Sequence, residues 1–202
     1  MEQQKVWNEI SEKWHEYKKD KVDEEVIEFF KEIKKNEKIL DLGCGSGRNL
    51  VKNKGIIYAL DFSDKMLKYA EEKAKKDKIK TEFFVSAADK LPFEDNFFDS
   101  AICIAVLHCV DSERKREEAM EELYRVLKPK SKALISVWSR NNDRIKNKPK
   151  ESFVPWTVNN KKYERYTYIY DKCELEDLLK RVGFKIIKSD ENKNIVIIAG
   201  KS

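Results

Sequence analysis

The residues able to do chemistry sit at the ends of short apolar runs, most densely in Asp41-Leu42-Gly43-Cys44-Gly45-Ser46-Gly47. Glycine adopts dihedrals closed to other residues and lets a ligand approach the main chain, so alternate glycines just past a strand make a cradle. A helix expected beyond them would turn its unpaired N–H groups toward an anionic end of that ligand. A dinucleotide fingerprint, G-x-G-x-x-G, would need glycine at position 48, where this chain has Arg48. Asp61 ends the second predicted strand, where a carboxylate can accept from both hydroxyls of a ribose; capping the next helix with Ser63 is the plainer use. Asp89, in Ala88-Asp89-Lys90-Leu91-Pro92-Phe93, can accept from an adenine amino group or simply occupy a loop. His108 follows the fourth strand in Ile104-Ala105-Val106-Leu107-His108-Cys109, and serves either as a substrate contact or as a structural residue.

Two cationic stretches follow. Ser112-Glu113-Arg114-Lys115-Arg116 sets three cations in a first helical turn, against the helix dipole by a few tenths of a kcal/mol each. That is either a solvated face balanced by Glu113, Glu117 and Glu118 or an anion site beside the ligand. Arg140, Arg144, Lys146, Lys148 and Lys150 then stand against Asp143 alone, before Phe153-Val154-Pro155-Trp156, Tyr163, Arg165, Tyr166, Tyr168 and Tyr170. Cations interleaved with aromatics suit phosphate neutralisation and base stacking on unpaired RNA. The tyrosines also alternate as on one face of a strand, and a Lys-rich loop is ordinary in a Lys-rich chain.

The elements that must position these groups are legible from apolar spacing. Residues 3–18 place Val6, Trp7, Ile10, Trp14 and Tyr17 at helical intervals, and a second helix carries Val26, Phe29, Phe30 and Ile33 behind Asp23-Glu24-Glu25. Strands are predicted at 38–42, 56–61, 82–85, 100–104 and 133–138. Helices begin at Ser63 and Ser112, the second ending at Pro129. Such alternation means parallel βαβ units covered on both faces. A helix over 174–182 stops at Gly183, and 184–189 and 195–199 flank an Asn-Lys turn as antiparallel strands. The expectation is an α/β fold: a seven-stranded, mostly parallel sheet with an antiparallel last strand and helices on both faces. One domain, 1–202, would hold N-terminal helices within 1–35 and a basic, aromatic substrate loop at 139–165. The candidate ligand groups all fall beyond the C-terminal ends of consecutive strands, where such folds bind ligands.

Charged residues make up 39%, an excess of Lys and Glu that fits a solvated, thermophile-type surface. The net charge of +5 permits a nucleic-acid partner without arguing for one. Cys44, Cys103, Cys109 and Cys173 form no C-x-x-C pair, so neither a disulfide frame nor a metal site is expected. No apolar run approaches the ~18 residues of a membrane span, and the reading is a soluble cytoplasmic protein.

G-x-G-x-G with Asp41 two residues ahead of it resembles motif I of the class I methyltransferases, whose cofactor S-adenosylmethionine carries an amino-acid tail and no pyrophosphate. More of the chain enters the likeness: Val6-Trp7-Asn8-Glu9-Ile10, Ala105-Val106-Leu107-His108, the Ser-Glu-Arg-Lys-Arg helix start, Val137-Trp138, Phe153-Val154-Pro155-Trp156 and Arg165-Tyr166. In that order they resemble the tRNA wobble-uridine carboxymethyl methyltransferases, which esterify 5-carboxymethyluridine in the anticodon. The chain departs from that pattern at Cys109, in place of a second His, at Thr167-Tyr168, and at Lys18, in place of an Arg. The short segment between Trp156 and Arg165 fits an archaeal or bacterial version. The resemblance implies a Rossmann-like class I methyltransferase fold. It implies S-adenosylmethionine against Asp41, Gly43, Cys44, Gly45, Gly47, Asp61, Phe62, Met66, Ala88, Asp89, Lys90 and Ile104. It implies substrate contacts at His108, Arg114 or Arg116, Trp138, Arg165 and Tyr166, with His108 and an arginine holding the acceptor carboxylate as cations. The implied partners are the tRNA anticodon loop and a small zinc-ribbon activator subunit. A small-molecule C- or O-methyltransferase is the rival enzyme reading. A non-catalytic scaffold is the other, against which Asp61 and Asp89 argue.

Overall fold

The structure is a computed structural model describing residues 3–18 and 21–202. Helices α1 (Gln3–Lys18) and α2 (Glu24–Lys31) precede β1 (Lys38–Leu42), β2 (Ile56–Asp61), α3 (Asp64–Asp77), β3 (Thr81–Val85) and β4 (Phe98–Ile104). Then come α4 (Glu113–Val126), β5 (Leu127–Trp138), a hairpin of β6 (Glu151–Val158) and β7 (Lys161–Tyr168), α5 (Lys172–Val182), β8 (Phe184–Glu191) and β9 (Asn194–Lys201). Seven strands form one sheet in the order β3-β2-β1-β4-β5-β9-β8, with β9 antiparallel to both neighbours and the other pairings parallel. The expected α/β architecture is what the chain adopts. Residues 1, 2, 19 and 20 of the expected N-terminal helical segment lie outside the described residues.

Strand alternation sorts the core into two layers. Ile39, Ile57 and Ile102 pack with Phe29, Phe30, Leu67 and Ala70 of α2 and α3. Leu40, Leu42 and Cys103 face Met120, Leu123, Leu175 and Leu179 of α4 and α5. Helix α1 belongs to neither layer; Val6 and Ile10 pack on Met66 of α3 and Tyr163 of β7. Among the described residues no helix is long and apolar enough to cross a membrane.

Three expectations need correction. The crossover from β1 to β2, residues 43–55, carries turns in place of the expected helix. Side chains take the backbone bonds a helix would need: Lys73 Nζ donates to the carbonyls of Gly47 (2.9 Å) and Arg48 (3.0 Å), and Asn53 Oδ1 accepts from Gly55 N–H (2.7 Å). Helix α4 ends at Val126, before Pro129, because the amides of Asn96 and Phe97 take the carbonyls of Arg125 and Val126 (3.0 and 2.8 Å). The stretch 139–165 is irregular only to residue 150; beyond it runs the β6–β7 hairpin, turned by Asn159-Asn160 with φ of 48° and 61°.

Candidate functional site

The C-terminal ends of β1, β2, β3 and β4 open into a cleft of about 510 Å³, roofed by Gln3, Gln4, Trp7 and Trp14 of α1. The roof is fastened by polar bonds: Gln4 Nε2 donates to the Phe62 carbonyl (2.7 Å), Asn8 Nδ2 to Asp64 Oδ1 (3.0 Å), and the Tyr166 N–H to Gln3 Oε1 (2.9 Å). Asp41, Gly43, Cys44, Gly45, Asp61, Phe62, Met66, Ala88, Asp89 and Ile104 all line the cleft. Gly47 and Lys90 do not. Gly47 packs on Ala70 of α3, where a Cβ would come within 2.9 Å of backbone, and Lys90 is exposed. Gly45, at φ +55°, has open space where a side chain would stand, so a ligand can reach its main chain.

Asp61 pins this loop. Its Oδ2 accepts from the Gly45 N–H and its Oδ1 from the Ser63 N–H, both at 2.9 Å, and burial still pushes its pKa up to about 6. The cap of α3 is Ser63, whose hydroxyl accepts from the Met66 N–H, so Asp61 keeps lone pairs for the cleft. Asp41 is buried, with Oδ2 unpartnered, and burial followed by the charge of Asp61 raises its pKa to about 7. A buried, unsatisfied carboxylate oxygen at a glycine loop fits the cationic amino-acid end of a ligand; the free lone pairs of Asp61 and Asp89 fit its hydroxyl and amino donors.

A second chamber of about 400 Å³ adjoins the first and shares Trp7, Trp14, Arg48, Ile104, Ala105 and Cys109 with it. His108, Trp138 and Arg165 line it. The Arg165 guanidinium stands over Trp7, Trp14 and Trp156 (5.6, 5.0 and 5.2 Å to the ring centroids), a cation–π cage. Arg165 is 5% exposed, its Nε has no hydrogen-bond partner, and no carboxylate pairs with it among the described residues. Burial lowers its pKa, and pushes that of Lys18 on the same chamber down to about 8. His108 is 2% exposed, and burial, then Arg165, push its pKa down to about 3. Both causes run against its expected cationic role and favour the neutral imidazole.

The remaining expected substrate contacts lie elsewhere. The Arg114 side chain is 88% exposed and paired to Glu118 (2.7 Å), outside both chambers. Arg116 is buried: it donates to the Val110 carbonyl (3.0 Å) and the Tyr166 hydroxyl (3.1 Å) and lies 3.9 Å over the Tyr168 ring. Tyr166 is engaged there too, because strand alternation turns it away from the chamber that Arg165 and Thr167 line. Of the three cations opening α4, it is Lys115 that lines the first cleft.

Residues 40–135 match the family described as a methyltransferase domain. An uncharacterized protein of Methanocaldococcus jannaschii is 32% identical over 184 residues, covering 82% of this chain and 68% of that protein. The chain belongs to the class I S-adenosylmethionine-dependent methyltransferases. A tRNA (carboxymethyluridine(34)-5-O)-methyltransferase of Arabidopsis thaliana is 36% identical to this methyltransferase over 119 residues. That match covers 58% of this chain and spans 28% of the plant protein's length. A Schizosaccharomyces pombe protein of the same name is 26% identical, with 88% and 86% covered. A solved S-adenosylmethionine-dependent methyltransferase from Methanosarcina mazei superposes at TM-score 0.72 and 24% identity, covering 89% of this chain and 98% of that one. The complex of the Haloferax volcanii Trm112 methyltransferase activator with a methyltransferase contains a chain of TM-score 0.72 at 16% identity, with 98% and 95% covered. S-adenosylmethionine is the cofactor of this methyltransferase, and the residues of the first cleft fit it.

Sequence reasoning placed Trp7 and Trp14 on an apolar helix face without revealing that they roof both chambers. It also passed over Gln3, Gln4, Arg48 and the exposed Val85 as lining residues. Val85 carried a usable signal: it is the last residue of the expected strand 82–85, on the rim where the other candidates fall, and the structure leaves it 60% exposed at the cleft.

Proposed function

We propose that this methyltransferase esterifies the carboxylate of 5-carboxymethyluridine at the wobble position of tRNA, acting in the cytoplasm. Arg165 carries the reading: a buried guanidinium, caged by indoles and without a carboxylate partner among the described residues, beside the cofactor cleft. A guanidinium presents a planar fork of donors matched to a carboxylate, and a buried unpaired one is costly until a ligand completes it. Lys18, Arg48, Arg144 and Lys193 also line the chamber, and although Asp23 pairs with Arg48 (2.8 Å), Asp143 pairs with Lys193 (3.1 Å) and Glu25 lines it too, the lining with Arg165 stays net positive. The plant and fission-yeast relatives bear names for this acceptor, which supports it.

When bound, S-adenosylmethionine supplies an electrophilic methyl group on a sulfonium centre. Asp61 and Asp89 are assigned to hydroxyl and amino donors of its adenosine, Asp41 to its ammonium, and Phe62, Met66, Val85 and Ala88 to its apolar wall. A carboxylate acceptor is already ionised at neutral pH, so the chain needs no general base. Neutral His108 then serves as an N–H donor and a shelf, and Arg165 with Trp138 holds the acceptor in line, a positioning effect worth several kcal/mol. A small zinc-ribbon activator is proposed as partner, on the fold likeness to the chain in the Haloferax complex.

The test is incubation with S-adenosylmethionine and tRNA bearing carboxymethyluridine, with and without an activator subunit, followed by nucleoside mass spectrometry. A methyl ester is expected, and Arg165→Ala should abolish it with cofactor binding intact. No ester under either condition, from protein that binds the cofactor, would overturn the acceptor and point to a small molecule.

A further inference from the structure

Beneath the helix-free crossover, at the N-terminal ends of β1, β2 and β3, lies a hollow of about 320 Å³. It sits at the end of the sheet opposite the two chambers. Lys35, Lys52, Lys54, Lys78 and Lys80 line it with Asn53, Gly55 and Ile79, and no carboxylate side chain does. All five lysines are exposed. Among the described residues none of their ammonium groups has an ion pair or a side-chain hydrogen bond; some lysines elsewhere on the surface do pair, as Lys128 with Asp99, Lys132 with Glu32, Lys150 with Glu174 and Lys188 with Asp190, and others do not, so it is the gathering of five around one hollow without a carboxylate that sets these apart. A chain with 37 acidic residues has thus kept them out of one concave site. Like charges gathered this closely repel one another, and an anionic partner relieves that repulsion.

We propose that this hollow is a phosphate-backbone exosite for the RNA whose base enters the acceptor chamber. The assignment rests on the tRNA reading for the identity of the RNA. The crossover connects the two places: Arg48 stands at its upper end on both chambers, and Lys52 and Lys54 at its lower end in the hollow. Strand β1 has five residues, so at ~3.3 Å per residue the two ends lie roughly 15 Å apart along the sheet, a span a folded tRNA covers easily. A lipid surface fits less well, because none of the exposed large hydrophobics, Tyr17, Ile27, Val85, Phe153 and Ile187, lines the hollow, and interfacial binding joins cations to inserted apolar groups.

The test compares the full chain, with S-adenosylmethionine present, to a Lys52→Glu/Lys54→Glu/Lys80→Glu variant and its Gln counterpart. Each is titrated with tRNA at several salt concentrations, and with inorganic phosphate alone. The Glu variant is expected to bind tRNA at least 10-fold more weakly at low salt and to lower the slope of log affinity against log salt by about 2. The KM for tRNA should rise while kcat and cofactor affinity stay unchanged, the Gln variant falling between. Wild-type protein that methylates tRNA, with variants matching it in affinity and slope, would overturn the exosite and leave the acceptor reading standing. Wild-type protein that neither binds nor methylates tRNA would overturn both. Saturable binding of inorganic phosphate that the Glu variant loses, with tRNA binding unchanged, would reassign the hollow to a free anion and overturn the RNA assignment.

Discussion

Trp138 lies on His108 with ring centroids 4.9 Å apart and 22° off parallel, and its backbone N–H donates to His108 Nδ1 at 3.4 Å. An accepting Nδ1 leaves the imidazole proton on Nε2, a neutral donor on a residue that lines the second chamber. With its pKa pushed down to about 3, His108 is expected to stay neutral across the working pH range. The folded value lies below the unfolded value of about 6.5, so the unfolded chain takes up the proton first. This residue therefore costs stability as pH falls from about 6.5 toward 3, and His108→Leu should flatten the melting temperature over that window. An imidazole resonance of His108 that titrates near 6.5, with a matching limb in kcat, would sink the assignment.

The two buried carboxylates of the first cleft, Asp41 and Asp61, run the other way. Asp41 and Asp61 have folded values near 7 and 6, above the usual carboxylate range, because burial penalises their charge. The folded state then holds protons that the unfolded state has lost, so the cofactor-free protein loses stability as pH rises from about 4 to 7. Asp41→Asn should raise the melting point at pH 8, by at least ~1 kcal/mol in stability, and abolish cofactor binding. Thermal melts at pH 5 and pH 8, with and without S-adenosylmethionine, measure both effects. A cofactor-induced shift no larger at pH 8 than at pH 5 would contradict a role for ionised Asp41.

Arg165 should separate function from stability. Arg165→Met keeps the packing against Trp7, Trp14 and Trp156 while removing a desolvated charge, so the melting point is expected to hold or rise. Methylation should fall by about two orders of magnitude or more, with cofactor affinity unchanged. Arg165→Lys should recover little, since a point charge lacks the planar fork. Unfolding of the Met variant would mark Arg165 as structural instead.

Two arginines with one residue between them in the sequence should behave as opposites. Arg116→Ala removes bonds to the Val110 carbonyl and Tyr166 hydroxyl and the stack on Tyr168, at a cost of about 2–3 kcal/mol, and loosens the hairpin that carries Arg165. Arg114→Ala, in solvent, should leave both melting point and methylation unchanged. Calorimetry and KM measured on the pair decide it: a loss of methylation in Arg114→Ala alone would restore it as a substrate contact.

That pair also shows how far the residues could be read in advance. Positions 114 and 116 lie about 200° apart on a helix, so a run of cations in one turn is divided between a buried and a solvated face. The same holds for Arg165 and Tyr166, which a strand sends to opposite sides. Periodicity was enough for the sheet, both helical layers and the convergence of Asp41, Asp61, Asp89 and Ile104, because parallel strands of similar length end on one rim. It fell short at the crossover 43–55, where Lys73 of α3, 26 and 25 residues beyond Gly47 and Arg48, takes the carbonyls that a helix would have used. It fell short again at α1, where spacing marks a buried face but not what that face covers.

Trp7 and Trp14 wall both chambers at once. A ligand that moves either indole from one side changes the shape offered on the other, and any such change in affinity must be equal in both directions. Where such a shift occurs, spent donor and methylated acceptor do not have independent affinities: whichever departs first resets the hold on the one that stays.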